Sequence, residues 1–334
     1  MALLNAQYDA IMRGYDEIRD RHRHELSDRE AEIAQKIPAI SALDDEAAAL
    51  SVSAAKRRIA DPDADLSLYN ESMRKITEKR ARLLLDGGYP ADYLEMQYDC
   101  PLCKDTGYQG SEMCRCFKQA IIDRYYMDPG RKEVLEKENF STFDASYYSE
   151  EAIDESTGDT YREIAMDAYR KAYSYVEQFP EHKRNLLLTG STGVGKTFLT
   201  NCIAKALMIA GYTVLYLSAY RLFEIFEKYR FGSAEENRLA TKNLDMVLDC
   251  DLLIIDDLGT ENGNSYTVSQ LFTCMEERQL RAKPIVITTN LNMEQIRARY
   301  SERIASRLFS NYRYIKLMGD DIRVRKLFLE GSPD

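Results

Sequence analysis

A chain of 334 residues is long enough for two domains, or for one domain with an extended arm. Its 45% apolar and 30% charged residues suit a soluble globular core, and no stretch approaches the roughly 20 apolar residues of a membrane span. The net charge of −10 argues against a protein that coats nucleic acid, which needs an excess of Lys and Arg, but leaves room for a local basic groove.

The residues after Met1 carry no basic-then-apolar secretory signal, and seven cysteines without a disulfide-scaffold spacing point to a cytoplasmic, reducing location. The first 98 residues read as helices. Tyr8, Ile11, Met12, Tyr15 and Ile18 recur at helical spacing, and Pro38 interrupts. A second run covers about Leu43 to Ile59, Asp61-Pro62-Asp63 breaks it, and a third, Leu66 to Leu85, ends at Gly87-Gly88. The polar faces mix both charge signs, so these are amphipathic helices of an arm or small bundle. Their apolar stripes serve either mutual packing or the docking of a partner.

Cys100-x2-Cys103 and Cys114-x-Cys116 then place four thiols in 17 residues around a turn-rich segment, Lys104 to Gly110. Four thiolates suit a tetrahedral zinc ion, which would stabilise a piece too small for its own core. A redox pair at Cys100 and Cys103 is the rival, though no thioredoxin-like strand pattern surrounds it, and an iron–sulfur centre is a further alternative. Cys202, Cys250 and Cys274 lie among apolar neighbours and read as small buried residues. A helical stretch runs to about Glu138, and residues 144–160, rich in Ser, Asp, Glu and Tyr, read as surface loop.

From about Tyr161, short apolar strands alternate with helices: Asn185 to Thr189, Thr213 to Ser218, Leu252 to Asp256, Pro284 to Thr289 and Tyr312 to Leu317. This alternation predicts a parallel sheet covered on both faces. Gly190-Ser191-Thr192-Gly193-Val194-Gly195-Lys196-Thr197 matches the P-loop pattern at every defined position, between an apolar strand and a helix-compatible run that starts at Phe198. Its glycines let backbone N–H groups face phosphate oxygens, and the helix adds its positive end. Lys196 should reach the β- and γ-phosphates of ATP and Thr197 should ligate magnesium. Asp256, at the C-terminal end of Leu252-Leu253-Ile254-Ile255, is the expected magnesium partner. Asp257 is the candidate for polarising the attacking water, although its carboxylate sits one methylene further back than a glutamate's. Asn290, after Ile285 to Thr289, can orient water or the γ-phosphate.

Together these residues resemble the AAA+ ATPases, specifically the DnaC/DnaI-type replicative helicase loaders and the similar IstB-type transposition helper ATPases. The resemblance covers about 139–330. It rests on Gly190 to Thr197, Ile254-Ile255-Asp256-Asp257-Leu258-Gly259 and Thr288-Thr289-Asn290. Ser301 to Leu308, Gly319-Asp320-Asp321-Ile322-Arg323 and the lead-in Asn139 to Phe143 strengthen it. It implies Asn290 at sensor 1, Arg307 as an arginine finger acting across a subunit boundary with Arg303 one turn earlier, and Arg323 at sensor 2. Such a finger implies ATP-dependent self-association; the plain alternative is an i,i+4 helix face. The resemblance also implies no separate helical lid, a cysteine cluster ahead of the core, and single-stranded DNA binding through that core.

Arg221, Lys228, Tyr229, Arg230, Phe231, Arg238 and Lys242 are the candidates for DNA contact, unless they form a solvated helix face. The expected organisation is a helical partner-binding region at 1–98, a zinc module and linker helix at 99–138, and an AAA+ ATPase domain at 139–334. The expected function is an ATPase that loads a replicative DNA helicase. The rivals are a transposition helper and a nucleotide-switched adaptor with negligible turnover, which the short Asp257 keeps open.

Overall fold

A computed structural model describes residues 5–62, 64–125, 130–261 and 264–330. They fall into two compact units that meet in sequence at Glu112 and Met113.

The first unit holds three helices, α1 (Asn5–Lys36), α2 (Pro38–Ala60) and α3 (Ser67–Asp86), and the short strand β1 (Tyr108–Gln109), which forms a hairpin with β2 (Glu112–Met113). Pro38 opens α2 rather than breaking it, because the first helical position has no N–H to satisfy. Gly88 closes α3 in a left-handed conformation at φ +81°. Its N–H donates to Leu85 O (3.0 Å) and that of Tyr89 to Leu84 O (2.9 Å), which satisfies two terminal carbonyls. Ile33, Ile40, Leu84 and Leu94 form a small core.

The second unit runs through α4 (Arg115–Tyr125), α5 (Arg131–Lys137) and α6 (Tyr161–Gln178) to β3 (Asn185–Thr189) and α7 (Lys196–Ile209). β4 (Val214–Ser218), α8 (Ala219–Phe231), α9 (Ala234–Asp249), β5 (Leu252–Leu258), α10 (Ser265–Leu280) and β6 (Ile285–Thr289) follow. α11 (Met293–Tyr300), α12 (Glu302–Asn311), β7 (Tyr312–Lys316) and α13 (Ile322–Glu330) complete it. The five strands β3 to β7 form one parallel sheet in the order β4-β5-β6-β3-β7. Leu186, Leu188, Ile254 and Val286 pack on one face with residues of α6 and α7. Leu187, Leu253, Ile255 and Ile287 pack on the other with α8, α10 and α12. Burial on both faces is why these strands read as unbroken apolar runs.

The topology sets β6 between β5 and β3. Parallel strands put all their C-terminal ends on one edge, so the residues that end β5, β6 and β3 become neighbours there. The segment expected as surface loop differs from that reading in part. It contains the 3-10 turn Ala145–Tyr147 and an antiparallel bridge from Ile153 to Thr160, and Tyr148 is only 3% exposed. The composition around Tyr148 is polar, but its ring packs inward against the core.

Candidate nucleotide site and cysteine cluster

The loop after β3 turns on glycines at which any side chain would be strained and crowded. At Gly190 (φ +153°) a Cβ would lie 2.3 Å from Leu317 O, and at Gly195 (φ +94°) 2.6 Å from the Tyr148 hydroxyl. The loop closes into α7, whose first residues are Lys196 and Thr197. Lys196 is 5% exposed, and its Nζ donates to Gly190 O (2.9 Å), Ser191 O (2.6 Å) and Asn290 Oδ1 (2.5 Å). Burial pushes the Lys196 amine below its usual value, against the opposing pull of Asp257 and Asp256.

Asp256 is 5% exposed, and its Oδ1 accepts from the hydroxyls of Thr197 (3.2 Å) and Thr288 (2.7 Å). Successive strand residues normally point to opposite faces. Here the pairing of β5 with β6 shifts between Ile255 and Leu258, and Asp257 adopts φ +56°. Its N–H donates to Thr288 Oγ1 at 2.8 Å. This kink lets both Asp256 and Asp257 line one cavity. Burial, and next the charge of Asp256, raise the Asp257 carboxyl above the ordinary aspartate range.

The cavity holds about 620 Å³, within the usual range for a small-molecule site. Thr192, Gly193, Gly195, Lys196, Thr197 and Phe198 line it from the loop side. Asp256, Asp257, Asn290 and Arg323 line it as well, so the expected nucleotide and catalytic residues converge from four chain segments. Gly190 and Val194 shape the loop from behind: Val194 is fully buried, and its carbonyl accepts from the Tyr148 hydroxyl at 2.9 Å. The glycine cradle and the paired hard oxygens of Thr197 and Asp256 fit a magnesium–nucleotide complex.

Several lining residues escaped sequence reasoning. Tyr147, Tyr148, Ile322 and Lys326 line the cavity together with Phe143 and Phe198. Lys326 Nζ lies 5.1 Å from the centre of the Tyr147 ring, and Arg325 donates to Tyr147 O at 2.8 Å. The available signal was the aromatic-rich stretch 140–148 just ahead of the core.

Arg307 and Arg303 stand elsewhere, on a surface hollow of about 700 Å³ beside Phe272 and Glu276. Arg307 donates to Glu276, and its guanidinium carbon lies 4.8 Å from the Phe272 ring centre. Among the candidates for DNA contact, Arg221 pairs with Glu224, and Lys228 reaches the same Glu224 at 2.7 Å. Arg230 sits over the rings of Tyr266 (5.1 Å) and Phe231 (5.8 Å), and Phe231 is 67% exposed. Leu222, Phe223 and Phe226 are buried. The side chains of Arg238 and Lys242 lie outside the described residues.

The ligand atoms of Cys100, Cys103, Cys114 and Cys116 all lie within 4.8 Å of one another. A tetrahedral zinc ion with bonds of about 2.3 Å spaces its sulfurs by about 3.8 Å, so the set needs only a small contraction to fit. Asp105 organises the first turn: its carboxylate accepts from the N–H of Cys100 (2.7 Å) and of Asp99 (3.1 Å). The other three cysteines, Cys202, Cys250 and Cys274, are buried as expected. Among the described residues no helix is long and apolar enough to cross a membrane.

Residues 166–326 match the family described as IstB-like ATP binding protein. The replicative helicase loader DnaC of Escherichia coli strain K12 is 27% identical over 144 residues, 43% of this chain and 57% of the loader. The insertion sequence IS21 putative ATP-binding protein of Pseudomonas aeruginosa is 26% identical over 153 residues, covering 44% of this chain and 56% of that protein. The chain thus spans little more than half the length of these relatives. The solved DnaC helicase loader superposes with a TM-score of 0.44 at 20% identity, over 55% of this chain and 99% of that one.

Proposed function

We infer, from the premise that this chain belongs to the AAA+ ATPases of the DnaC and IstB-like type, that it is an ATP-driven loader of a replicative DNA helicase. The observation that carries this reading is the convergence of Lys196, Thr197, Asp256, Asp257, Asn290 and Arg323 on one cavity. ATP binds with its phosphates on the Gly190 to Thr197 loop. Lys196 exchanges its loop carbonyls for the β- and γ-phosphates. Thr197 and Asp256 would hold magnesium, which would supply countercharge to the phosphates. Asp257 polarises a water that attacks the γ-phosphorus. The bond from that phosphorus to the bridging oxygen breaks, ADP leaves with the electron pair, and the water's proton passes to Asp257. Asn290 positions the water or the γ-phosphate.

Arg307 has a different task. It lies on a surface hollow away from the cavity, which supports a role as a finger inserted into a neighbouring subunit's site. Glu276 holds it meanwhile. Arg230, Phe231 and Tyr266 form the cationic and aromatic cluster best suited to single-stranded DNA. Lys228 and Arg221 contribute less, since Glu224 neutralises both. The helical unit holds the helicase, the four cysteines hold a structural zinc ion, and the protein works in the cytoplasm.

The IstB-like description and the relative from Pseudomonas aeruginosa favour a second reading, a transposition helper that contacts a transposase through the helical unit. A pull-down from native lysate, with the full chain as bait and ATP present, separates the two. Recovery of a replicative helicase supports the first, and recovery of a transposase the second. Turnover measured with and without single-stranded DNA separates both from an adaptor that binds ATP without hydrolysing it: no turnover under either condition removes the ATPase reading.

A further inference from the structure

The first turn of α13, which carries Arg323, is fastened to the phosphate-binding loop. The Ile322 N–H donates to Gly193 O at 3.0 Å. A Cβ on Gly193 (φ +79°) would lie 2.1 to 2.4 Å from the carboxyl atoms of Asp321, so the Asp321 carboxylate rests directly on the glycine. That carboxylate takes three hydrogen bonds from Arg323: its backbone N–H (3.0 Å) and Nε (3.0 Å) reach Oδ1, and its terminal nitrogen (2.8 Å) reaches Oδ2. The backbone bond alone would cap α13. The other two form a bidentate fork, the geometry in which a guanidinium also binds a phosphate.

Arg323 lines the same cavity as Lys196 and Asp257. Its guanidinium therefore has two acceptors of one chemistry within the site: the carboxylate of Asp321 and whatever phosphate oxygens the loop carries. We propose that Asp321 is a positioning residue that competes with the γ-phosphate for Arg323, and that this competition sets the preference of the site for ATP over ADP. ADP ends one phosphate short and leaves Arg323 on Asp321. ATP presents three terminal oxygens and draws the guanidinium across. Asp321 itself touches no phosphate; it acts through Arg323. The proposal rests on Arg323 being a phosphate contact, as in the proposed function.

The test is equilibrium binding of a non-hydrolysable ATP analogue and of ADP to the full chain, its Asp321→Asn and Arg323→Ala variants, and the double variant. Asparagine keeps the oxygen that caps α13 but cannot hold the charged fork. Asp321→Asn should tighten the analogue by roughly 5- to 10-fold while ADP changes by less than about 2-fold. On the Arg323→Ala background the same substitution should change neither. Equal tightening of both nucleotides, or tightening that persists without Arg323, would show Asp321 to be only a local negative charge and overturn the proposal. Analogue affinity unaltered by Arg323→Ala would instead remove Arg323 as a phosphate contact. Should Asp321→Asn fail to fold, Asp321→Ser retains a capping oxygen and carries the same expected pattern.

Discussion

The two units of this chain differ in where their candidate functional groups stand. In the unit that holds the parallel sheet, the candidate site residues stand at or just beyond the ends of strands whose apolar side chains are almost completely buried, and Lys196 and Asp256 are each 5% exposed. In the helical unit the candidate docking groups are exposed apolar side chains: Ile59 is 85% exposed, Leu68 72%, Leu85 60% and Val52 55%, a degree of exposure that Leu280 and Ile209 of the other unit share. The proposed function accounts for the difference. A phosphoryl-transfer site works by preorganised charge, and low-dielectric surroundings make fixed charges count for more. A docking helix works by apolar surface that water leaves when a partner arrives. The first is tested by chemistry, the second by association.

The largest effect is expected where the two logics meet, at Arg307. This residue belongs to the unit that holds the parallel sheet but lies on a surface hollow, half-buried against Phe272 and Glu276. Arg307→Ala should lower turnover by roughly 10³-fold while nucleotide affinity stays near that of the wild type. Mixing it with Lys196→Ala should restore part of the turnover that neither protein has alone, because one supplies an intact cavity and the other an intact finger. A mixture as inactive as its parts would confine Arg307 to a surface pair with Glu276.

Next in size is Asp257→Asn, expected to cost turnover roughly 100-fold through loss of the base. The pH profile carries the sign. Burial and Asp256 raise the carboxyl of Asp257, so the base is lost by protonation at a higher pH than an ordinary aspartate would be. The acid limb of turnover against pH should therefore lie above the usual aspartate range and should vanish in the variant. The same raised value means that ionising Asp257 weakens the fold: its contribution is unfavourable above its folded pKa and disappears as pH falls below the unfolded one. Asp257→Asn should accordingly unfold at a higher temperature than the wild type at neutral pH. If the variant turned over ATP like the wild type, another group would have to orient the water.

How far the sequence disclosed these features depends on whether their partners are local. Leu252 to Asp256 could be read because a strand buried on both faces is one continuous apolar run, and the Gly190 to Thr197 spacing because each glycine answers to the backbone. Both lie within a few residues of what they serve. Tyr148 could not be read. It stands among acidic and hydroxyl residues, and its partner is a backbone carbonyl 46 positions away. Arg278 is fully buried yet looks like the polar face of α10. It donates to Val247 O (2.5 Å), Cys250 O (3.1 Å) and Pro284 O (2.8 Å), and carbonyls leave no mark in a sequence. The kink at Asp257 was hidden for a related reason, since a positive φ at aspartate has no residue signature comparable to glycine's.

A smaller effect is expected at the cysteines, between the two extremes of burial. Cys103 and Cys114 are buried, whereas Cys100 and Cys116 are half-buried. Protein purified without added zinc should carry about one zinc ion per chain, tetrahedrally held. Cys103→Ser should release it and lower the unfolding temperature, with nucleotide affinity nearly unchanged. Protein that carries no metal and has four reactive thiols would return the segment to redox chemistry. Iron with the colour of a cluster would favour the third alternative.

The smallest effect on the isolated protein should come from the outward apolar face of the helical unit, and that is what makes it informative. Ile59 lies in the last turn of α2, and Leu68 in the first turn of α3. Both have most of their surface in water, so replacing them with serine removes little burial and should change stability by no more than about 0.5 kcal/mol. If the face exists to receive a partner, the same pair of substitutions should abolish recovery of the helicase or transposase from lysate while leaving ATP turnover at the wild-type rate. A purely structural face would give the reverse, lower stability with partner recovery intact. The contrast between the units thus reduces to one double variant: a substitution nearly silent in the fold and in the chemistry, and decisive in association.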